Sequence, residues 1–212
     1  MTPPSPGAHP AITHTGNDAQ TWTMFLALSA IWGSSFLWIA IALDEGVPPL
    51  TLVSMRTLFA GGLLALVLLA RRGRLPLHWN LWKRLIVLGA TNIVIPFALI
   101  AWGQQYIPSG MASILNAMVP LFTIIFATVA LADEHITPAK LGGLGIGFVG
   151  VVLLAWPSVQ AASGNGDAAL AVAGMLAVAG AAVFYGIASV YTRRRVTGMR
   201  IIEQPDGSLR AP

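Results

Sequence analysis

Six long apolar segments, separated by short polar connections, dominate the pattern of this chain. About 20 helical residues at a rise of ~1.5 Å cover the ~30 Å hydrocarbon core of a bilayer, and most of the segments reach that length. The pattern therefore predicts an all-α membrane protein with six transmembrane helices. The predicted helices cover residues 22–43, 49–70, 85–106, 111–131, 141–156 and 170–191.

Basic residues fall on alternate connections between these segments. Arg71, Arg72 and Arg74 follow the second segment and residues 193–195 follow the sixth, whereas the connections after the first, third and fifth contain no Lys or Arg. Because an excess of Lys and Arg marks cytoplasmic loops, we predict a multi-pass protein of the cell (inner) membrane with both termini in the cytoplasm.

Composition supports a lipid environment and excludes several functions. Charged residues make up 9% of the 212 residues and hydrophobic ones 56%, whereas soluble domains are about 25% charged. The net charge of +4 is explained by the basic connections, so no nucleic-acid partner is predicted. The chain has no cysteine, and its four histidines (His9, His14, His78 and His135) lie outside the apolar segments without ligand spacing. We predict no metal and no cofactor.

Motifs of known enzyme classes do not support catalysis. Residues 164–167, Gly-Asn-Gly-Asp, match the GxGD pattern of intramembrane aspartyl proteases, but that chemistry needs two facing carboxylates. No apolar segment contains an Asp or Glu in its interior, so a turn is the simpler interpretation of residues 164–167. For the same reason, proton coupling through a buried carboxylate is unsupported. Since GxSxG, HExxH and P-loop motifs are absent as well, we predict that the chain is not an enzyme.

One formal charge, Arg56, lies well inside a predicted transmembrane segment. An intramembrane arginine is costly and should face protein or water. Two roles remain open: the side chain extends to the outer interface as an anchor, or it binds an anionic group or latches a gate.

Uncharged polar residues concentrate in the first, third and fourth segments. In hydrocarbon such groups need partners, so they either bond between helices or line a polar substrate path, and the sequence leaves both open. Prolines in two of these segments remove a backbone hydrogen bond and can kink the helix. The candidate pathway residues are Trp32, Ser34, Ser35, Arg56, Asn92, Gln104 and Asn116, and the candidate kinks are at Pro96 and Pro120.

Small residues mark a packing face on the fifth segment. Gly143 and Gly147 form a GxxxG pair, which lets helix backbones approach closely. The partner helix could belong to the same chain or to another.

The first and sixth segments share a local pattern with reversed flanking charge. Trp-Gly-Ser-Ser at 32–35 is similar to Tyr-Gly-Ile-Ala-Ser at 185–189, but the first segment ends in acidic residues and the sixth in arginines. This indicates one five-helix repeat plus the first helix of a second, inverted repeat.

Taken together, several stretches resemble the EamA family of the drug/metabolite transporter superfamily. These stretches are Trp-Gly-Ser-Ser-Phe at 32–36, residues 52–59 around Arg56, residues 107–120, and Ala-Asp-Glu-His-Ile-Thr at 132–137 followed by Gly142, Gly143 and Gly150. The resemblance extends over about residues 24–195, with the order and spacing kept throughout.

The resemblance implies a secondary transporter or exporter-type permease for small metabolites, such as amino acids or related compounds. It implies alternating access through a cavity walled by the first, third and fourth segments of two inverted five-helix repeats. Trp32 and Arg56 would lie near that cavity, and Pro120 and Glu134 would mark the fourth segment.

The sequence also departs from the family. It stops after a sixth segment, and residues 39–43 are apolar where many relatives carry a lysine. A second hypothesis is therefore a truncated, inactive or half-size membrane subunit that needs a partner chain, as a homodimer or with a second half-transporter. The predicted organisation is a disordered cytoplasmic tail (1–21), an EamA-like five-helix repeat (22–157), an outer loop with the sixth helix (158–192) and a basic cytoplasmic tail (193–212).

Reporter fusions test the predicted orientation. Alkaline phosphatase, which is active only outside the cytoplasm, should be active when fused after Gly46 or Gly110 and inactive when fused after Arg72 or Lys140. A fluorescent protein that folds only in the cytoplasm should give the opposite pattern. High phosphatase activity after Arg72 would contradict the prediction.

Overall fold

The computed structural model describes residues 18–72, 78–131, 137–164, 168–196, 202–203 and 209–210. The predicted tail before residue 18, the acidic pair at 133–134 and residues 165–167 of the Gly-Asn-Gly-Asp motif lie outside these ranges. The described chain is helical apart from one short antiparallel pair, in which strand β1 (Ile202–Glu203) lies beside strand β2 (Leu209–Arg210).

Helices form where the apolar segments predict them. They are α1 (Asp18–Asp44), α2 (Pro49–Ala70), α3 (Trp79–Gly89), a π-helical turn (Ala90–Val94), α4 (Ile95–Gly103), α5 (Ser109–Asn116), α6 (Val119–Ala130), α7 (Pro138–Gly164) and α8 (Ala168–Arg195).

Six stretches of the described residues are long and apolar enough to cross a bilayer, which confirms the predicted all-α membrane fold. We call them the first to sixth spans. They are Ala19–Asp44, Pro49–Ala70, Trp79–Gly103, Ser109–Ala130, Pro138–Pro157 and Ala168–Arg195. The third span thus joins α3, the π-helical turn and α4, and the fourth joins α5 and α6.

The chain divides into two compact units, Met1–Ser35 and Phe36–Pro212. In the first unit, hydroxyl groups of α1 bond to their own helix: the Oγ1 of Thr23 donates to the carbonyl of Ala19 (2.7 Å) and the Oγ of Ser29 to that of Phe25 (2.8 Å). These side chains therefore satisfy their polar groups without a second helix.

The sixth span is the centre of the second unit. Helix α8 packs against α4, α5, α6 and α7, and its small side chains let several helices approach it at once. Val178, Ala181 and Ala182 are fully buried there, together with Ala101 and Ala112 from the third and fourth spans. By contrast, α2 and α7 expose most of their large apolar side chains, as expected of helices that face lipid.

Two glycines bring the backbones of the third and sixth spans into contact. A Cβ atom added to Gly103 would lie 2.7 Å from the carbonyl oxygen of Gly174, and one added to Gly174 would lie 2.9 Å from that of Gly103. Because the obstructing atoms belong to the backbone, they cannot rotate away. Only glycine fits at either position.

A second close approach joins the sixth span to the fourth. A Cβ atom on Gly186 would lie 3.0 Å from backbone and side-chain atoms of Phe122 and 3.1 Å from Phe126. Helix α8 thus packs closely through a glycine at two places, against α4 at Gly174 and against α6 at Gly186.

The third span changes its helical geometry halfway along. The N–H of Ile95 donates to the carbonyl of Ala90, five residues earlier, which defines the π-helical turn. Pro96, which has no N–H to donate, follows directly in the first turn of α4 and is fully buried. The wider turn accommodates the missing backbone donor.

The fourth span is broken in two. Helix α5 ends at Asn116, a turn of two residues follows, and α6 begins at Val119 with Pro120 in its first turn. In a continuous α-helix the N–H of residue 120 would bond to the carbonyl of Asn116. Proline removes that donor, so the break lies where the sequence places Pro120.

A glycine turn connects the first two spans. Gly46 adopts φ +81°, its N–H donates to the carbonyl of Leu43 (2.9 Å), and the N–H of Val47 donates to that of Ala42 (3.0 Å). These are the two bonds of a Schellman motif, which ends α1 and reverses the chain toward α2.

At the opposite end of the molecule, Arg84 caps the sixth span. Its Nη1 donates to the carbonyl oxygen of Arg195 at 2.8 Å. A guanidinium at a helix C-terminus satisfies an orphan carbonyl and complements the negative end of the helix dipole. The start of the third span and the end of the sixth therefore lie on the same side of the helix bundle.

The glycine contact predicts a position-specific loss of stability. Gly174→Ala should lower the free energy of unfolding in detergent by about 1–3 kcal/mol, since the new methyl group overlaps a backbone carbonyl. Gly62→Ala is the matched control: nothing lies within 4 Å of that Cβ position, so it should be neutral or stabilise by up to about 1 kcal/mol. Equal thermal unfolding midpoints for the two variants would contradict the packing described.

Candidate functional site

The charged side chain of Arg56 is held against the third span. Its Cζ lies 4.4 Å from the centroid of the Phe97 ring, in a cation–π contact. Arg56 is seven residues into α2, or roughly 10 Å below the end of the helix, so its charge lies at membrane depth. The side chain is nevertheless exposed on the surface of the chain.

Tyr185 of the sixth span completes this cluster. Its phenol interacts electrostatically with Arg56, and its ring packs, half-buried, against the apolar core. The second, third and sixth spans thus each contribute one side chain: Arg56, Phe97 and Tyr185. We call these three residues the Arg56 cluster.

Sequence reasoning singled out Arg56 but missed its two neighbours as site residues. Phe97 gives no signal, because one aromatic residue in an apolar segment is ordinary. Tyr185 had a weak signal in the similarity of its segment to the Trp-Gly-Ser-Ser stretch of the first span.

Asn92 lies on the π-helical turn of the third span and is exposed. It is 13 residues from the start of that span at Trp79, or roughly 20 Å along the helix axis. An exposed amide at this depth needs water or another polar group, because lipid offers neither. Single π-helical turns inside α-helices occur frequently at functional sites.

Two further side chains, one buried and one half-buried, have buried amide atoms without hydrogen-bond partners among the described residues. Gln104 is 7% exposed, and neither its Nε2 nor its Oε1 is bonded; the same is true of the Oδ1 of Asn116. Gln104 follows the close contact at Gly103, and Asn116 stands at the break in the fourth span. An unpaired buried amide costs about 1–3 kcal/mol, so each can accept a polar partner from outside the described chain.

The three candidate residues of the first span belong to the Met1–Ser35 unit. Trp32 is 64% exposed, and the Oγ of Ser34 donates to the carbonyl of Ile31 at 3.1 Å. Ser35 also interacts with another group of the protein. Their part in a substrate path stays a prediction.

The glycine pair of the fifth span has unequal surroundings. A Cβ atom on Gly147 would lie 3.3 Å from Leu121 of the fourth span, whereas one on Gly143 would meet nothing within 4 Å. Gly142, Gly145 and Gly150 are equally open among the described residues. These positions of α7 are therefore available to lipid or to another helix.

The hydroxyl groups of the fourth span bond within their own helix. Ser113 donates to the carbonyl of Gly110 (2.8 Å) and Thr123 to that of Val119 (2.9 Å). The sequence left two interpretations open, hydrogen bonding between helices and a polar substrate path. These two hydroxyl groups donate within their own helix and not between helices.

Comparison with known proteins identifies relatives that match most of the chain. A sequence model described as the EamA-like transporter family matches residues 21–156. No solved structure matches the chain.

Several curated relatives are similar to the chain. An uncharacterized transporter of Bacillus subtilis, YvbV, is 30% identical over 86% of this chain and 56% of its own length. An uncharacterized inner membrane transporter of Escherichia coli, YedA, is 35% identical over 60% of this chain and 41% of its own. A probable terminal-alkyne amino-acid exporter of Streptantibioticus cattleyicolor is 29% identical over 63% and 44%, respectively. The chain thus spans about half the length of the curated relatives it matches.

The unpaired amide of Gln104 predicts an unusual mutant. Gln104→Met keeps the shape of the side chain and removes two unbonded polar atoms, so it should raise the free energy of unfolding in detergent by about 1–2 kcal/mol. Gln105→Met is the control, because the Nε2 of Gln105 donates to the carbonyl of Trp102 (3.2 Å) and its loss brings no such gain. A lower unfolding midpoint for Gln104→Met would show that this amide has a partner.

Proposed function

Because the chain belongs to the EamA-like transporter family, we propose that it takes part in secondary transport of small metabolites across the cell membrane by alternating access. The proposed substrates are amino acids or related carboxylates. The name of the Streptantibioticus relative, a probable amino-acid exporter, supports this substrate class and the outward direction. The other relatives described above are named only as transporters.

The Arg56 cluster carries the proposal. A guanidinium offers a planar pair of donors that matches a carboxylate, and the Tyr185 phenol, within electrostatic reach of Arg56, carries a further O–H donor. The Phe97 ring packs against the guanidinium, and the Arg56 side chain is exposed on the surface of the chain. We propose that the carboxylate of the substrate binds to this guanidinium.

The energetics of Arg56 favour a polar neighbour over lipid. An arginine at the bilayer centre costs about 2.5–3.5 kcal/mol or more, and a cation–π contact returns about 0.5–2 kcal/mol. A guanidinium inside a span is stabilised by protein groups, water or an anion, and a water-filled substrate path would supply water. Asn92, exposed and roughly 7–8 Å from Phe97 along the third span, is proposed to line the same path.

The irregular third and fourth spans fit a transport mechanism. Non-helical backbone at membrane depth is tolerated where it is buried in protein or lines a wet cavity, and discontinuous helices form the binding sites of many transporters. The break after Asn116 is proposed to face this path, which would give the Oδ1 of Asn116 a partner.

An inactive or half-size subunit that needs a partner chain is the second candidate. Its support is one face of α7, where Cβ atoms on Gly143 and Gly150, seven residues apart, would meet no described atom within 4 Å. Such a face fits a second helix. A second copy of this chain or another half-transporter would be the partner.

The orientation of the chain also remains a proposal. Both termini are proposed to be cytoplasmic. In support, the contact between Arg84 and the carbonyl of Arg195 groups the basic ends of the third and sixth spans on one side.

Transport assays on reconstituted protein test the proposal. Proteoliposomes loaded with a panel of radiolabelled L-amino acids should show counterflow for at least one member. Arg56→Gln should reduce that flux by about 10- to 100-fold, as expected for a lost charged hydrogen bond. Arg56→Lys should keep part of the flux, and Tyr185→Phe should lose less than Arg56→Gln does.

Arg71→Gln is the matched control, since it removes the same charge at the end of α2 and should leave flux unchanged. Unaltered flux in both Arg56 variants would reduce Arg56 to an anchor. A monomeric wild-type chain without flux for any member of the panel would favour the second candidate.

A further inference from the structure

A groove on the surface of the second unit lies between the fourth and sixth spans. Its volume is about 300 Å³, and α6 and α8 form its two walls. The lining residues are Thr123, Ile124, Ala127, Leu131, Ser189, Val190 and Arg193. Between Ile124 and Leu131 the groove follows α6 for roughly 10 Å.

Most of the groove surface is apolar, and its one cationic residue lies at one end. The hydroxyl of Thr123 already donates to the carbonyl of Val119, so it adds no free donor to the wall. Arg193 belongs to the last turn of α8, next to Leu131 at the end of the fourth span. The groove is therefore mostly apolar, with the guanidinium of Arg193 at one end.

Further positive charge lies at the same end of the helix bundle as Arg193. Arg194 and Arg195 follow Arg193 in the same helical turn, and the side chain of Arg84 is bonded to the carbonyl of Arg195. The Nζ of Lys83 lies 5.4 Å from the centroid of the Trp79 ring, an aromatic residue of the type that marks the membrane interface.

We propose that this groove binds one anionic phospholipid, with an acyl chain along α6 and α8 and the phosphate at the arginines. An apolar channel with cationic residues at the depth of the headgroups matches both parts of such a lipid. A small polar metabolite fits less well, because most of the lining is apolar and such a ligand would leave it uncovered. A second copy of the chain would bring its own arginines to the same level, where like charges repel.

The lipid site is tested by native mass spectrometry and thermal unfolding of the purified full chain. The probes are phosphatidylglycerol and phosphatidylcholine with identical acyl chains. The wild-type protein should bind phosphatidylglycerol at least about tenfold more tightly and should gain thermal stability from it. The double variant R193Q/R194Q should lose about tenfold or more in affinity for phosphatidylglycerol.

The double variant R71Q/R72Q is the matched control, because it removes two arginines from the end of α2 and leaves the groove intact. It should bind phosphatidylglycerol as the wild type does. Ala127→Phe fills the groove without changing its charge and should also abolish binding, with Ala127→Leu as a milder version if the larger side chain prevents folding.

Four results would overturn the proposal. The first is equal binding of the two lipids by the wild type. The second is an equal loss of affinity in the two arginine pairs, which would indicate a diffuse basic surface. The third is full binding of phosphatidylglycerol by both Ala127 variants. The fourth is a lipid-independent dimer that these variants abolish, which would make a second copy the occupant.

Discussion

The contact between the backbones of Gly103 and Gly174 is the constraint on which the second unit depends. Lipid provides little hydrophobic driving force for helices to associate, so close packing must supply it. At this contact each glycine leaves space that the other's carbonyl fills. The sixth span is thereby held against the third, and its small residues also receive the fourth and fifth spans.

The second constraint is how the polar side chains of the spans find hydrogen-bond partners. Hydroxyls such as those of Ser113 and Thr123 bond to carbonyls one turn earlier, so they demand nothing from their surroundings. Arg56, Asn92, Gln104 and Asn116 do make such demands, by charge at depth, exposure at depth or a buried unpaired amide. Function is better sought among these residues than among all polar residues of the spans, because each places a charge or an amide where lipid cannot solvate it.

Sequence patterns predicted the six spans well, because length and apolarity are properties that the sequence states directly. The break near Pro120 was foreseeable for the same reason, since a missing N–H is a property of a single residue. The central position of the sixth span was not foreseeable. It depends on which helices meet at Gly103, Gly174 and Gly186, three glycines among the 22 of the chain.

The candidate site was predictable only in part. Arg56 stands out as a charge in an apolar segment, but its neighbours Phe97 and Tyr185 are distant in sequence and ordinary in composition. The GxxxG pair of the fifth span shows the converse: a strong pattern lies on a face where Gly143 meets nothing. A spacing motif states that a close approach is sterically allowed, and the tertiary structure decides whether one occurs.

The third and sixth spans contact each other near both of their ends, through the glycine backbones at one end and through the Arg84 side chain on the carbonyl of Arg195 at the other. Two contacts this far apart oppose both rotation and sliding of one helix against the other. A conformational change in the second unit is then expected to move these two helices together. The two-residue interruption between α5 and α6 is the place where one half of the fourth span can tilt while the other stays in place.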